Sequence, residues 1–218
     1  MDTERLLKAR LEEVIARVRA AESRSGRPAG ATRLIGVVKT VAPDRVQAAV
    51  AFGLRDLGEN RVQEAEGKIA AVRTPGLRWH MIGHLQRNKA GRAVELFDCV
   101  HGVDRLELAG ALSRHAVSAG RRLPVLIEVN VGGEASKFGV APAVLGALAE
   151  QVAALPGLAL EGLMTVGPPV NRAEDARPVF GALRMLRDRV AGQLGTPLPE
   201  LSMGMSGDFE VVVEEGST

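Results

Sequence analysis

From Thr3 to Glu22 the apolar residues Leu6, Leu7, Leu11, Val14, Ile15 and Val18 fall three or four positions apart with charges between them, which predicts an amphipathic helix over 3–22. A Ser-, Gly- and Pro-rich loop follows from Ser23 to Gly30. Beyond it, short apolar runs alternate with helical patterns. Strands are predicted at Arg33–Val38, Arg55–Leu57, Arg78–Ile82, Cys99–Val103, Pro124–Asn130, Leu158–Thr165 and Glu200–Met203. Helices are predicted at Asp44–Phe52, Asn60–Val72, Asn88–Phe97, Arg105–Ala119, Pro142–Leu155, Ala173–Leu194 and Asp208–Glu215. Seven strand-then-helix units without a tight hairpin signal predict a parallel α/β sheet with helical crossovers. Runs such as Val125-Leu126-Ile127 are apolar on both faces, as in a sheet covered on both sides.

Two architectures fit that order, an open doubly wound sheet and a closed (β/α)8 barrel of the TIM type. The first usually carries Gly-x-Gly-x-x-Gly after its opening strand; here that strand runs out through Val38-Lys39-Thr40-Val41. The expectation is therefore one barrel domain over 1–218, with the N-terminal helix at 3–22 and the barrel at 33–218. Only seven units are present, so the eighth strand is expected to be missing from this chain, beyond Gly216-Ser217-Thr218.

Composition narrows the possible functions. The 218 residues carry 28 Lys+Arg against 26 Asp+Glu, and aromatic residues make up 3%. That small positive excess with few stacking side chains argues against nucleic acid as the main ligand. No apolar run approaches the ~20 residues of a membrane span, and the charged N-terminus is not a signal peptide. One cysteine, Cys99, excludes a disulfide framework, so a cytoplasmic setting is expected. A chain with no tyrosine has no phenol chemistry, and only five of its basic residues are lysine: Lys8, Lys39, Lys68, Lys89 and Lys137.

In a parallel barrel, the ligand mouth is built from the C-terminal ends of the strands. Lys39 leaves the first strand beside apolar walls, where partial desolvation would free its amine as a nucleophile toward aldehydes. The alternative is a lysine snorkelling into water. The Ser202–Asp208 segment offers glycines, the Ser206 hydroxyl and a helix N-terminus, which read either as an anion cradle or as a helix capped by Ser206. His80 and His84 suggest a metal, but no third ligand stands at a recognisable spacing, and no metal is assigned. Trp79 is expected beneath a helix, and Met185 and Leu186 in the core. An amine at one strand end and an anion cradle at another suit a ligand with both an aldehyde and a phosphate, as in pyridoxal 5′-phosphate (PLP).

Several motifs then carry a family resemblance: Val37-Val38-Lys39-Thr40, Gly58-Glu59-Asn60-Arg61, Trp79-His80-Met81-Ile82-Gly83-His84-Leu85-Gln86, Ser136-Lys137-Phe138-Gly139, Gly162-Leu163-Met164-Thr165 and Ser202-Met203-Gly204-Met205-Ser206-Gly207-Asp208. In this order they resemble the PLP homeostasis proteins, single-domain relatives of the alanine racemase barrel, from about residue 4 to the last. The resemblance implies a Schiff base between PLP and Lys39, a pocket lined by Asn60 and His80, Met164 near the ring, and phosphate held by Ser206 and the backbone at Gly207. It implies a carrier or buffer of PLP in vitamin B6 homeostasis, acting on amino-acid and keto-acid pools, without robust turnover and with transient apo-enzyme partners. A monomer or weak dimer is expected. The chain departs from the family pattern at Val38, Val41 and His84, and in ending before the family's Arg-x-Gly strand.

Two other functions compete. One is a PLP-dependent racemase or lyase; two-base racemisation needs proton donors on both faces of the cofactor, and related racemases use a lysine and a tyrosine, of which this chain has only the first. A phosphosugar aldolase using Lys39 needs an acid–base partner, for which Glu59 is the candidate.

Overall fold

The computed structural model describes residues 2–134 and 137–218. Its elements follow the expected alternation: α1 (Asp2–Arg24), β1 (Ile35–Val37), α2 (Pro43–Ala51), β2 (Asp56–Glu59), α3 (Val62–Ala71), β3 (Arg78–Met81), α4 (Ala90–Leu96), β4 (Cys99–Val103), α5 (Leu106–Ser118), β5 (Leu123–Glu128), α6 (Leu145–Ala153), β6 (Leu158–Met164), α7 (Arg177–Leu194), β7 (Glu200–Ser202) and α8 (Phe209–Glu214). All seven strands form one parallel sheet in the order β1-β2-β3-β4-β5-β6-β7. A doubly wound sheet reverses its strand order at a switch point; this one never does, which rules out the doubly wound alternative and leaves a curled parallel sheet of seven strands.

Successive side chains of a strand point to opposite faces. On the outer face Leu57, Trp79, Met81, Val100, Val125, Ile127, Leu163 and Leu201 join the main core beneath the helices. On the inner face stand Asp56, His80, Cys99, His101, Leu126, Glu128, Met164 and Ser202. The sheet curls around that face. A hydrogen bond of 2.8 Å between His101 Nδ1 on β4 and Ser202 Oγ on β7 crosses three strand spacings, which a flat sheet could not close.

The N-terminal ends of β1 and β7 are held together. Thr218 N–H donates to Leu201 O (3.0 Å), and Arg33 N–H donates to Thr218 O (2.6 Å). The Arg33 guanidinium also pairs with Glu200.

α1 closes the N-terminal side. Its Val18 and Ala21 pack against Val213 of α8, and Arg17 and Arg24 bind Glu210 and Glu214 of the same helix. On α7 the buried residues Phe180, Leu183, Leu186 and Val190 mark one stripe. Met185 lies on the opposite side and is 63% exposed, which corrects its expected place in the core.

Candidate functional site

Because every strand is parallel and neighbours follow in sequence, all seven C-terminal ends open on one rim. Lys39 directly follows the buried Val38 and is itself exposed. Its amine makes no hydrogen bond or ion pair among the described residues. Below it on the inner face, Val37 is 48% exposed, which leaves an apolar wall open to the mouth. Thr40, next along, has φ 60°, a left-handed conformation that a β-branched residue seldom adopts. The chain therefore turns away sharply just after the lysine.

Across the gap between β1 and β7 lies the Ser202–Asp208 segment. Ser206 and Gly207 are exposed, and their N–H groups and the Ser206 hydroxyl have no partners among the described residues. Ser206 does not cap α8. The N-cap position is Asp208, whose carboxylate instead accepts the Met205 N–H at 2.5 Å. Gly204, at φ 95°, packs so close to α8 that a Cβ there would lie 2.5 Å from Val212. The nearby acids are committed elsewhere: Glu210 pairs with Arg17 at 2.9 Å and with Arg24. The turn thus presents donors without a facing carboxylate.

Between these two ends the rim is lined by backbone. A Cβ at Gly83 would lie 2.7 Å from Asn60 O, and one at Gly102 would lie 2.8 Å from Gly83 O and 3.4 Å from a Glu128 oxygen. Asn60 sits in a bend just past β2, with no side-chain hydrogen bond among the described residues. Asn130, after β5, donates to Glu134 O, while its buried Oδ1 has no partner. Burial, reinforced by Asp104, pushes the Glu128 carboxyl up to about 7. His84 stacks on Phe138 at 3.9 Å and stands 3.4 Å from Asp104. Ser136, part of one motif, lies outside the described residues.

Two of the expected positions lie deeper. Met164 packs on Cys99 and Leu126. His80 is buried with both ring nitrogens engaged: Nε2 stands 2.9 Å from Asp56 Oδ1, and Nδ1 stands 3.0 Å from His101 Nε2. Asp56, His80, His101 and Ser202 thereby form one chain of hydrogen bonds across the inside of the sheet. Burial works to raise the Asp56 carboxyl, but the His80 hydrogen bond and the charges of His80, Arg78 and Arg33 hold it below the usual carboxylate range. Burial, helped by His80, pushes His101 down to about 3. Burial also pushes the Cys99 thiol up to about 12.

Glu59 is the clearest displacement from expectation. It is fully buried on the outer face, where Lys68 of α3 donates to it at 2.5 Å and to Val38 O at 2.7 Å. It cannot serve Lys39 as an acid–base partner. Residues that sequence reasoning passed over are Asp56, Cys99 and His101. Cys99 and His101 are two apart on a predicted strand, hence on one face, but only the pairing of His80 with Cys99 shows that they meet β3. Two other cavities, of about 230 Å³ beneath α1 and about 360 Å³ beside Trp79, are not lined by Lys39, Ser206 or Gly207.

Comparisons with known proteins identify the chain's relatives. The family described as alanine racemase, N-terminal domain, matches residues 10–215. The chain is 43% identical over 209 residues to the pyridoxal phosphate homeostasis protein of Aquifex aeolicus, covering 96% of this chain and 92% of that one. It is 44% identical over 209 residues to the protein of the same name from Pseudomonas aeruginosa, covering 95% and 89%. Among solved structures, PipY of Synechococcus elongatus with PLP bound superimposes with a TM-score of 0.81 at 38% identity, covering 92% of this chain and 93% of that one. The D-threonine aldolase of Filomicrobium marinum, at 21% identity and a TM-score of 0.75 over 98% of this chain and 56% of that one, shares the fold.

Proposed function

The chain belongs to the pyridoxal phosphate homeostasis proteins, within the alanine racemase N-terminal-domain family, and from that premise we propose that it binds PLP through Lys39 and carries or buffers it. The observation that carries this reading is the placement of two complementary donors on one rim. An unpaired lysine amine stands at the end of β1, and a turn with free N–H groups and a free hydroxyl stands at the end of β7.

The donor set suits the group. PLP supplies an aldehyde that condenses reversibly with an amine, and a dianionic phosphate that needs donors rather than carboxylates. Lys39 presents the amine. Ser206 and the backbone at Gly207 present the donors, and the pairing of Glu210 with Arg17 and Arg24 spares an anion much of that carboxylate's repulsion. Val37 and Asn60 line the space between, and Met164 and His80 form its floor. His80 contributes by rigidity, since both its nitrogens are spoken for.

Holding the cofactor rather than turning over a substrate fits these residues. No tyrosine exists to act as a second base, and Glu59 is committed to Lys68 on the other side of the sheet. The reading takes residues 1–218 as one domain, with α1 packed on a barrel of the (β/α)8 type. Thr218 bridges Leu201 of β7 and Arg33 just before β1 through backbone hydrogen bonds. Its partners are PLP and, transiently, apo-forms of PLP enzymes in the cytoplasm, met as a monomer or weak dimer.

The test is covalent capture. Protein mixed with PLP should develop a yellow absorption band, and borohydride should fix one pyridoxyl group on Lys39, located by peptide mass. Lys39→Ala should show neither. An unchanged yellow band in that variant would overturn the assignment.

A further inference from the structure

We propose that Cys99, His80 and His101 form a zinc site inside the curled sheet, with the two histidines and the thiolate as ligands and Asp56 and Ser202 as the groups that orient them. The proposal uses the interior face beneath the mouth and does not depend on PLP binding.

The geometry is the first argument. One ligand atom from each of the three residues lies within 4.8 Å of the others, and all three side chains are buried. Tetrahedral zinc takes nitrogen at about 2.0–2.1 Å and sulfur at about 2.3 Å, which sets two ligating nitrogens about 3.3 Å apart. His80 Nδ1 and His101 Nε2 stand 3.0 Å apart. An ion enters by displacing that hydrogen bond, opening the pair a few tenths of an ångström and tilting both rings so that their lone pairs, now aimed along the line between the nitrogens, converge on it.

The outer partners are the second argument. A zinc-bound histidine usually donates its other ring N–H to a carboxylate, carbonyl or similar acceptor, which fixes the ring. His80 already does so to Asp56 at 2.9 Å, and His101 places Nδ1 2.8 Å from Ser202 Oγ. The nitrogens turned toward each other are thus the ones left for an ion. Leu126 and Met164 pack against Cys99 and keep that side dry.

Charge is the third. The thiolate is the anionic ligand, and the Asp56 carboxylate, which Arg78 and Arg33 already partly offset, adds part of a second negative charge. Imidazole and thiolate ligands select zinc over magnesium or calcium, which prefer oxygen.

The proton balance follows from the hydrogen bonds. In the neutral chain His80 donates from Nε2 to Asp56, His101 donates from Nε2 to His80 Nδ1, and Ser202 donates to His101 Nδ1. Binding breaks the Cys99 S–H bond, forms Zn–S and sends that proton to the buffer. His101 moves its proton from Nε2 to Nδ1 and donates it to Ser202, with no net release. One proton leaves per ion, and no electron is transferred.

Cobalt(II), a spectroscopic stand-in for zinc, tests this on the full chain after chelator treatment. It is added both to folded protein and during refolding from denaturant. One equivalent should give a thiolate-to-cobalt charge-transfer band with the visible bands of tetrahedral cobalt, and zinc should abolish both. Calorimetry of zinc in buffers of different ionisation heat should read one proton per ion. Cys99→Ser should lose the charge-transfer band, and Asp56→Asn should weaken zinc binding about 10–100-fold. Because Cys99 is the chain's one cysteine, zinc should also slow its reaction with a thiol reagent in the unaltered protein. Absence of the cobalt band under both conditions overturns the proposal. So does a band that survives Cys99→Ser, or a thiol reaction rate that zinc leaves unchanged.

Discussion

Glu128→Gln tests how the interior handles charge. Glu128 is 7% exposed at the end of β5, its carboxyl makes no hydrogen bond among the described residues, and Asp104 is the nearby like charge. Burial first, then Asp104, moves it from 4.5 to about 7. Between those values the folded protein holds a proton that the unfolded chain has released, so stability falls as pH rises. The contribution is present in full below 4.5 and gone above about 7. That gap, at 1.36 kcal/mol per pH unit, is worth about 3 kcal/mol as an upper bound. Water reaching the mouth reduces it, so about 1–3 kcal/mol is expected. Glutamine keeps the shape and removes the ionisation. The assay is urea unfolding of parent and variant at several values from pH 4.5 to 8.5, read as the difference in stability. Taking the difference cancels other groups, among them His101, whose lowered value works in the opposite sense by removing stability as pH falls below its unfolded value. The variant should match the parent near pH 4.5 and exceed it by the stated amount at pH 8. Parallel curves would refute the reasoning, because they would mean that Glu128 ionises as freely inside the fold as outside it.

Lys68→Ala should destabilise the protein by about 3–5 kcal/mol in chemical denaturation, since it strands the fully buried Glu59, and Glu59→Gln in the same chain should recover part of the loss. Gly162→Ala should cost about 3 kcal/mol or more, or prevent folding, because the added Cβ would lie 1.8 Å from Glu200 O on β7; a stable, soluble variant with the parent's unfolding midpoint would contradict the β6–β7 packing. Phe97→Ala, which empties a fully buried site behind α4, should cost about 3–5 kcal/mol by the same measurement.

The order of strands and helices was legible because the hydrophobic period switches between two and 3.6 and needs no distant information. So was Lys39 as a residue leaving a strand. Glu59 was not. Reading β2 as ending at Leu57 put Glu59 at the mouth, whereas the strand continues through Glu59, and alternation then turns its side chain toward α3. Two residues of boundary decided whether Glu59 lies within the strand or past its end. Met185 failed for a similar reason: its neighbours are apolar, but its angle around α7 points outward. The His80–His101–Ser202 chain was hidden because it depends on how far the sheet curls, which is set by packing across three strands and leaves no mark on any one of them. The free donors at Ser206 and Gly207 became clear only once Asp208 was seen turned back on Met205.

The clamp between α1 and α8 has a consequence for how the protein is made. Arg17 reaches a carboxylate 193 positions later in the sequence, and Val18 and Ala21 find their partner Val213 equally late. A ribosome releases the first helix long before the surface that covers it exists. Until α8 is made, Val18 and Ala21 stay bare, and even a helix this long has little reason to settle without packing. Contacts this remote in sequence form slowly, so the docking of α1 against α8, the helix that supports the anion-facing turn, is expected to be a slow step.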